Sequence, residues 1–161
     1  MFDKFGEFDS FEELNKAAAG QKAEGDVEAL KSLAEENGID PEDVQDYLDG
    51  VIAELCTAKT AALGKLAVET ADMKASEIVS DWLDYIQMCA MEDLQMCVAI
   101  RRKGKTLIGC IGAALKWSYE NRYKVDDRII KASGINAGGV EMGIPGMATA
   151  KKIIRKYYLG G

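Results

Sequence analysis

The sequence predicts an all-α fold: a compact bundle of about seven to eight helices built around one long central helix. Three observations carry that expectation. Only two prolines, Pro41 and Pro145, interrupt the 161 residues. Ala, Leu, Lys and Glu, all strong helix formers, are abundant. Apolar residues recur at spacings of three and four, and no segment alternates apolar and polar residues as a half-buried strand does. With 48% of its residues hydrophobic, a chain of this length can bury one core, so residues 1–161 are read as a single domain. Within it, residues 1–50 form an acidic helical lobe and residues 101–161 a basic helical part.

The elements follow in order. Ser10 with Glu13 makes a capping box that starts a helix running to about Ala23. Asp26 caps a second helix, VEALKSLAEEN, which stops at Gly38 and carries Val27, Leu30, Leu33 and Ala34 on one face. Asp40-Pro41-Glu42-Asp43 combines an N-cap, a proline at the first helical position and carboxylates in the first turn. That third helix ends near Gly50. Residues 51–74 read as a fourth helix with Ile52, Leu55, Leu63, Leu66 and Val68 inward, although Gly64 weakens its middle. Glu77 to Lys103 reads as the central helix, started by Ser76 and about 40 Å long at 1.5 Å per residue. Its stripe is Ile78, Trp82, Tyr85/Ile86, Cys89, Met96/Cys97 and Ile100, with a wider gap at Glu92 and Asp93. Thr106 caps a sixth helix with Leu107, Ile111, Leu115 and Trp117/Ser118 inward; its Gly109 and Gly112 allow close approach of another helix. A short helix at 126–132 closes on Gly134. An irregular GINAGGVEMGIPG segment follows, in which VEM can extend briefly. A last helix spans Met147 to Tyr158 and packs through Ile153, Ile154, Tyr157 and Tyr158.

Charge is laid out in two territories. Residues 1–100 hold 23 Asp/Glu and 7 Lys/Arg, a balance of −16; residues 101–161 hold 4 and 13, a balance of +9. Such asymmetry governs partners and association rather than fold. One reading is that the two halves neutralise each other; the other is that each presents a surface. Clustered carboxylates resemble a nucleic-acid backbone in charge density and fit a basic groove on a DNA- or RNA-binding protein. The acidic candidates are Glu35, Glu36, Asp40, Glu42, Asp43, Asp46 and Asp49. The basic candidates for phosphate contacts are Arg101, Arg102, Lys103, Lys105, Lys151, Lys152, Arg155 and Lys156, interleaved with Tyr119, Tyr123, Tyr157 and Tyr158.

Catalysis is not expected. There is no histidine, so the commonest general base and the usual triads are missing. Cys56, Cys89, Cys97 and Cys110 form no CxxC pair and read as reduced, buried small hydrophobes. The glycine segment Gly134–Gly146 matches neither phosphate-binding fingerprint and reads as a connector. Glu92 and Asp93 interrupt an apolar stripe, which fits an ion pair with a neighbouring helix better than a metal site. No cofactor, metal or catalytic residue is therefore predicted. No apolar run approaches a membrane span, and MFDKFGEFDS lacks the basic start of a secretion signal, so a cytoplasmic location is expected. The long apolar stripes also allow a homo-oligomer.

The stretch GKTLIGCIGAALKWSYENRYKVDDRIIKASG, followed by a helix ending in Tyr157-Tyr158, resembles small accessory proteins of bacterial conjugative elements and phages. The opening MFDKFGEFDS is similar to mobile-element proteins. Some proteins of that kind are anti-CRISPR inhibitors of RNA-guided Cas nucleases. The resemblance implies a non-enzymatic inhibitor or adaptor that binds a bacterial nucleic-acid-handling protein such as a Cas nuclease ribonucleoprotein. The alternative is a DNA- or RNA-binding accessory protein that uses the basic C-terminal half.

Overall fold

The computed structural model describes residues 2–71 and 73–160. The described residues form an all-α fold of nine helices, with one two-residue antiparallel ribbon as its only sheet. The first three helices are α1 (Phe11–Glu24), α2 (Val27–Glu36) and α3 (Pro41–Asp49). Their ends are the ones the caps dictate. The Ser10 hydroxyl accepts from the Glu13 amide at 3.2 Å, and the Asp26 and Asp40 carboxylates accept from Ala29 and Glu42 amides at 2.9 and 2.8 Å. Gly25 and Gly50 close α1 and α3 in the left-handed conformation that glycine adopts without strain. These helices enclose a core of Leu14, Ala18, Leu30, Leu33, Val44 and Tyr47. Leu55, Cys56 and Ala61 complete it from the next segment.

Helix α4 (Ala58–Thr70) is shorter than the expected 51–74. Thr57 and Thr60 form a reciprocal capping box that starts it late. Upstream, the Asn15 side chain pairs with both the amide and the carbonyl of Cys56, at 3.0 and 2.8 Å, which holds that residue outside a helix. α4 is buried on two sides. Ala61 belongs to the first core, while Ala58, Ala62 and Leu66 belong to a second.

The expected central helix is two helices, α5 (Ile78–Glu92) and α6 (Leu94–Arg101). Asp93 breaks it with extended backbone, and its carboxylate accepts from the Gln95 and Met96 amides at 3.0 and 3.2 Å, capping α6. The gap in the apolar stripe marks this break. Ser76 does not cap α5; Glu77 occupies the N-cap position, without a side-chain cap bond.

The second core joins α4, α5 and α6 with α7 (Leu107–Glu120) and α9 (Met147–Leu159). α7 departs from expectation at Leu115, while Ile111 is half-buried against the core. Leu107, Cys110 and Ala114 face inward, and Leu115 points out with 67% of its surface exposed. Between α7 and α9 runs an arm: β1 (Tyr123–Lys124), α8 (Asp127–Ser133) and β2 (Glu141–Met142), with β1 and β2 paired antiparallel. Gly109 does allow close approach, because the Tyr157 hydroxyl occupies the space a Cβ would need, whereas Gly112 faces open space.

Candidate interaction site

The acidic candidates are gathered on α2, α3 and the turn between them. Glu42, Asp46 and Asp49 follow each other at spacings of four and three, which places them on one face of α3. All three are exposed, while Val44 and Tyr47 on the opposite side are buried. Glu35 and Asp40 are also exposed; Glu36 and Asp43 are half-buried. None of the seven makes an ion pair among the described residues. Glu36 is engaged otherwise: its carboxylate accepts from the Lys4 and Phe5 amides at 2.7 and 3.0 Å and pins the N-terminal segment.

Asp40, Glu42 and Asp43 sit at the N-terminus of α3, where carboxylates are stabilising, but the other four oppose local stability. Neither α2 nor α3 has a cation in its last turn, yet Glu35 and Glu36 end α2, and Asp46 and Asp49 end α3. Anions at a helix C-terminus face the negative end of its dipole, and Glu42 and Asp46 repel across one turn. The compensation comes from α1. Lys22 donates to the Tyr47 carbonyl and lies 4.3 Å from the Tyr47 ring centroid.

Three of the eight basic candidates are engaged by other parts of the chain. Arg102, Lys103, Lys151, Lys152 and Lys156 are exposed. Arg101 corrects the expectation of a phosphate contact: it is 1% exposed and donates to the Asn37 side chain at 2.8 Å. Arg155 is tied to Asp93 at 2.8 Å, which is the ion pair expected at the interrupted stripe. The Arg155 hydrogen bond holds the Asp93 carboxyl below its usual value. Lys105 is half-buried and donates to the Tyr157 carbonyl at 2.6 Å. Lys151 lies 5.0 Å from the Tyr85 ring centroid.

A seam of buried charge joins the two cores, and sequence reasoning missed it. Lys65 is fully buried; it donates to Glu7 at 2.6 Å and to the Arg102 carbonyl at 2.9 Å. The other Glu7 oxygen accepts from the Gly104 amide at 3.0 Å. Burial works to raise the Glu7 carboxyl, but the Lys65 bond, the Gly104 amide and the charges of Lys65 and Arg101 outweigh it and hold it below its usual value. Glu69 goes the other way: burial raises its carboxyl despite Lys65 and the Leu107 amide, which donates at 3.0 Å. The Phe2 and Phe8 rings flank Arg101, with centroids 5.8 and 5.9 Å from its guanidinium carbon. Beside this network Gly38 and Gly64 touch backbone to backbone, leaving no room for a Cβ on either. A glycine inside α4 was the one signal in the sequence.

None of Glu7, Lys65, Glu69 and Arg101 lines one of the described surface clefts. All four cysteines are free and buried, and burial pushes the Cys56 and Cys110 thiols up to about 12, far from a reactive thiolate. Among the described residues, no group of three or more Cys, Asp or Glu side chains is disposed to hold a metal ion, and no helix is long and apolar enough to cross a membrane. Comparison of the chain with protein families, curated proteins and solved structures gives no match.

Proposed function

We propose that this protein is a non-enzymatic binder whose acidic lobe docks into a cationic, nucleic-acid-binding groove of a bacterial nucleic-acid-handling protein. It acts there as an inhibitor or adaptor of a mobile genetic element, and a Cas nuclease ribonucleoprotein is the partner that the resemblance implies. One observation carries the reading. Glu35, Asp40, Glu42, Asp46 and Asp49 are exposed on one lobe without an ion pair among the described residues, and Glu35, Asp46 and Asp49 oppose their own helix dipoles. Those three add little to the stability of their helices, and they favour attraction to a cationic surface. The test is a pull-down of a Cas nuclease–guide complex by the intact protein and by a variant carrying Glu35→Lys, Glu42→Lys, Asp46→Lys and Asp49→Lys. Capture by the intact protein, lost in the variant and weakened by salt, supports the proposal. No capture, or equal capture by both, removes it.

A second reading is contact with DNA or RNA. It is favoured by five exposed cations that make no ion pair among the described residues, Arg102, Lys103, Lys151, Lys152 and Lys156. A gel-shift titration decides it. Absence of binding even at about 50 mM salt ends it, because phosphate contacts strengthen steeply as salt falls.

A further inference from the structure

Two deeply buried cations lie beneath a segment that is not itself deeply buried. Lys65 is 0% and Arg101 1% exposed. Over them runs an N-terminal strap, Phe2 to Ser10, with no helix or strand and no fully buried residue. Its Phe2 and Phe8 rings flank Arg101, and its Glu7 reaches Lys65. Three carboxylates fasten it. Glu36 holds the Lys4 and Phe5 amides, Glu7 holds Lys65 and the Gly104 amide, and Glu13 accepts from the Asp9 amide at 2.9 Å. Phe5 and Phe8 rest on the first core and are only partly buried. A segment held by polar bonds at the surface opens locally at less cost than the helices beneath it.

What the strap covers is a set of donors suited to an oxyanion. The Lys65 ammonium and the Gly104 amide hold the two Glu7 oxygens, at 2.6 and 3.0 Å. Arg101 lies close enough for its charge to act on Glu7. Lysine, arginine and backbone amides are the donors that hold a phosphate as readily as a carboxylate. Arg101 is also under-used. Its Nη2 donates to Asn37, but Nε and Nη1 are buried and make no hydrogen bond among the described residues. A buried guanidinium short of acceptors is costly and calls for a further partner. The neighbouring carboxylates do not supply it: burial shifts Glu69 toward its neutral form, and Glu13 is turned to the Asp9 amide. Arg102 and Lys103 stand exposed beside Gly104, with no ion pair among the described residues.

We propose that Glu7 fills, in cis, a binding site for a phosphate group, and that lifting of the N-terminal strap opens it. The incoming phosphate takes the Lys65 ammonium and the Gly104 amide from Glu7. It also gives Arg101 the acceptors that the closed state leaves out. The strap is therefore an autoinhibitory cover: Glu7 competes with the ligand, and Phe2 and Phe8 shield the guanidinium. A free phosphate needs the interior donors alone, whereas a nucleic-acid backbone also engages Arg102 and Lys103 at the rim. The site binds through none of the carboxylates of α2 and α3, so it stands whether or not the acidic lobe docks a partner.

Amide hydrogen exchange of the full chain, read by NMR, tests it, with sodium phosphate as the probe and sodium chloride at equal ionic strength as the control. At about 50 mM, phosphate is expected to speed exchange at the Lys4 and Phe5 amides at least about 5-fold, because a ligand that binds only the open strap draws the equilibrium toward it. The Gly104 amide, handed from Glu7 to phosphate, keeps its rate; mere loosening of the strap speeds all three. Arg101→Met, an apolar replacement at a buried cation, keeps the fold and cuts the effect below about 2-fold. In Glu7→Gln, phosphate raises the thermal midpoint more than it does in the intact chain, and chloride does not. The exchange measurement uses the native chain, so it decides whether or not Glu7→Gln folds. A short oligothymidylate separates the sources. Acceleration at an about 10-fold lower phosphate concentration, lost in Arg102→Ala with Lys103→Ala, identifies a nucleic-acid backbone; acceleration by inorganic phosphate alone identifies the free anion. Rates at Lys4 and Phe5 that phosphate leaves at their chloride values overturn the proposal. So does an acceleration that Gly104 shares, or one that Arg101→Met retains in full.

Discussion

The acidic lobe and the α7 region both expose what a stable fold has no need to expose, but they expose different things. On α2 and α3 it is unpaired charge; across Ile108–Ile144 it is apolar surface, with most cations there neutralised by neighbours. Charge acts over a Debye length and sets encounter rate and partner sign. Apolar area acts at contact and sets how tightly surfaces stay together. The difference teaches that one small protein can hold two chemically distinct surfaces apart by giving each its own core to stand on. The first core supports the charged face, the second supports the apolar one, and a buried polar seam holds them in fixed relation.

The strongest way to break that comparison is to force the seam open. Gly64→Val places a branched side chain against the Gly38 backbone, and a loss of about 3–4 kcal/mol is expected in chemical denaturation. A single transition at the native midpoint would show that the lobes do not depend on this contact. Lys65→Ala comes next, at about 3 kcal/mol, because it strands the largely buried Glu7 carboxylate. The same pair predicts a pH dependence. The folded Glu7 value is depressed, so its contribution is present above the unfolded value of 4.5 and is lost as pH falls through the folded value. Acid titration of stability checks this: Lys65→Ala is expected to flatten the Glu7 part of the profile. The smallest effect sharpens the charged side of the comparison. Asp46→Lys with Asp49→Lys should stabilise the protein by about 0.5 kcal/mol, because it relieves repulsion and complements the α3 dipole. A matching destabilisation would mean those carboxylates serve the fold instead.

Local chemistry made much of this architecture legible. Ser10, Asp26, Asp40, Thr106 and Asp126 all cap helices, and Gly25, Gly50 and Gly134 end them, because these effects act within three or four residues. The interruption at Glu92 and Asp93 announced a buried ion pair with a neighbouring helix; the pair exists, half-buried, but its partner Arg155 was read as a phosphate contact. What stayed hidden depends on contacts distant in sequence. Asn15 delays α4 from 41 residues away, and Asn37 takes Arg101 into the interior from 64 residues away. On α7, Leu107 and the half-buried Ile111 do pack on the second core, but Leu115 was misread as inward because it is as apolar as Ala114, which the fold buries instead. Of the interaction candidates, the acidic set was readable as a surface because its charges are local to two short helices. The basic set was not, because three of its eight members, Arg101, Lys105 and Arg155, are held by partners far along the chain.

The two-sided burial of α4 constrains any attempt to dissect the molecule. Ala61 completes the interior of the acidic lobe while Ala58, Ala62 and Leu66 on the same helix complete the other. A fragment stopping at Thr57 would lose Ala61 from the acidic lobe's interior and the Gly38–Gly64 contact, and a fragment starting there would lose Glu7 from Lys65. A version of the charged face that keeps all of its own contacts must therefore carry the polypeptide at least through Lys65.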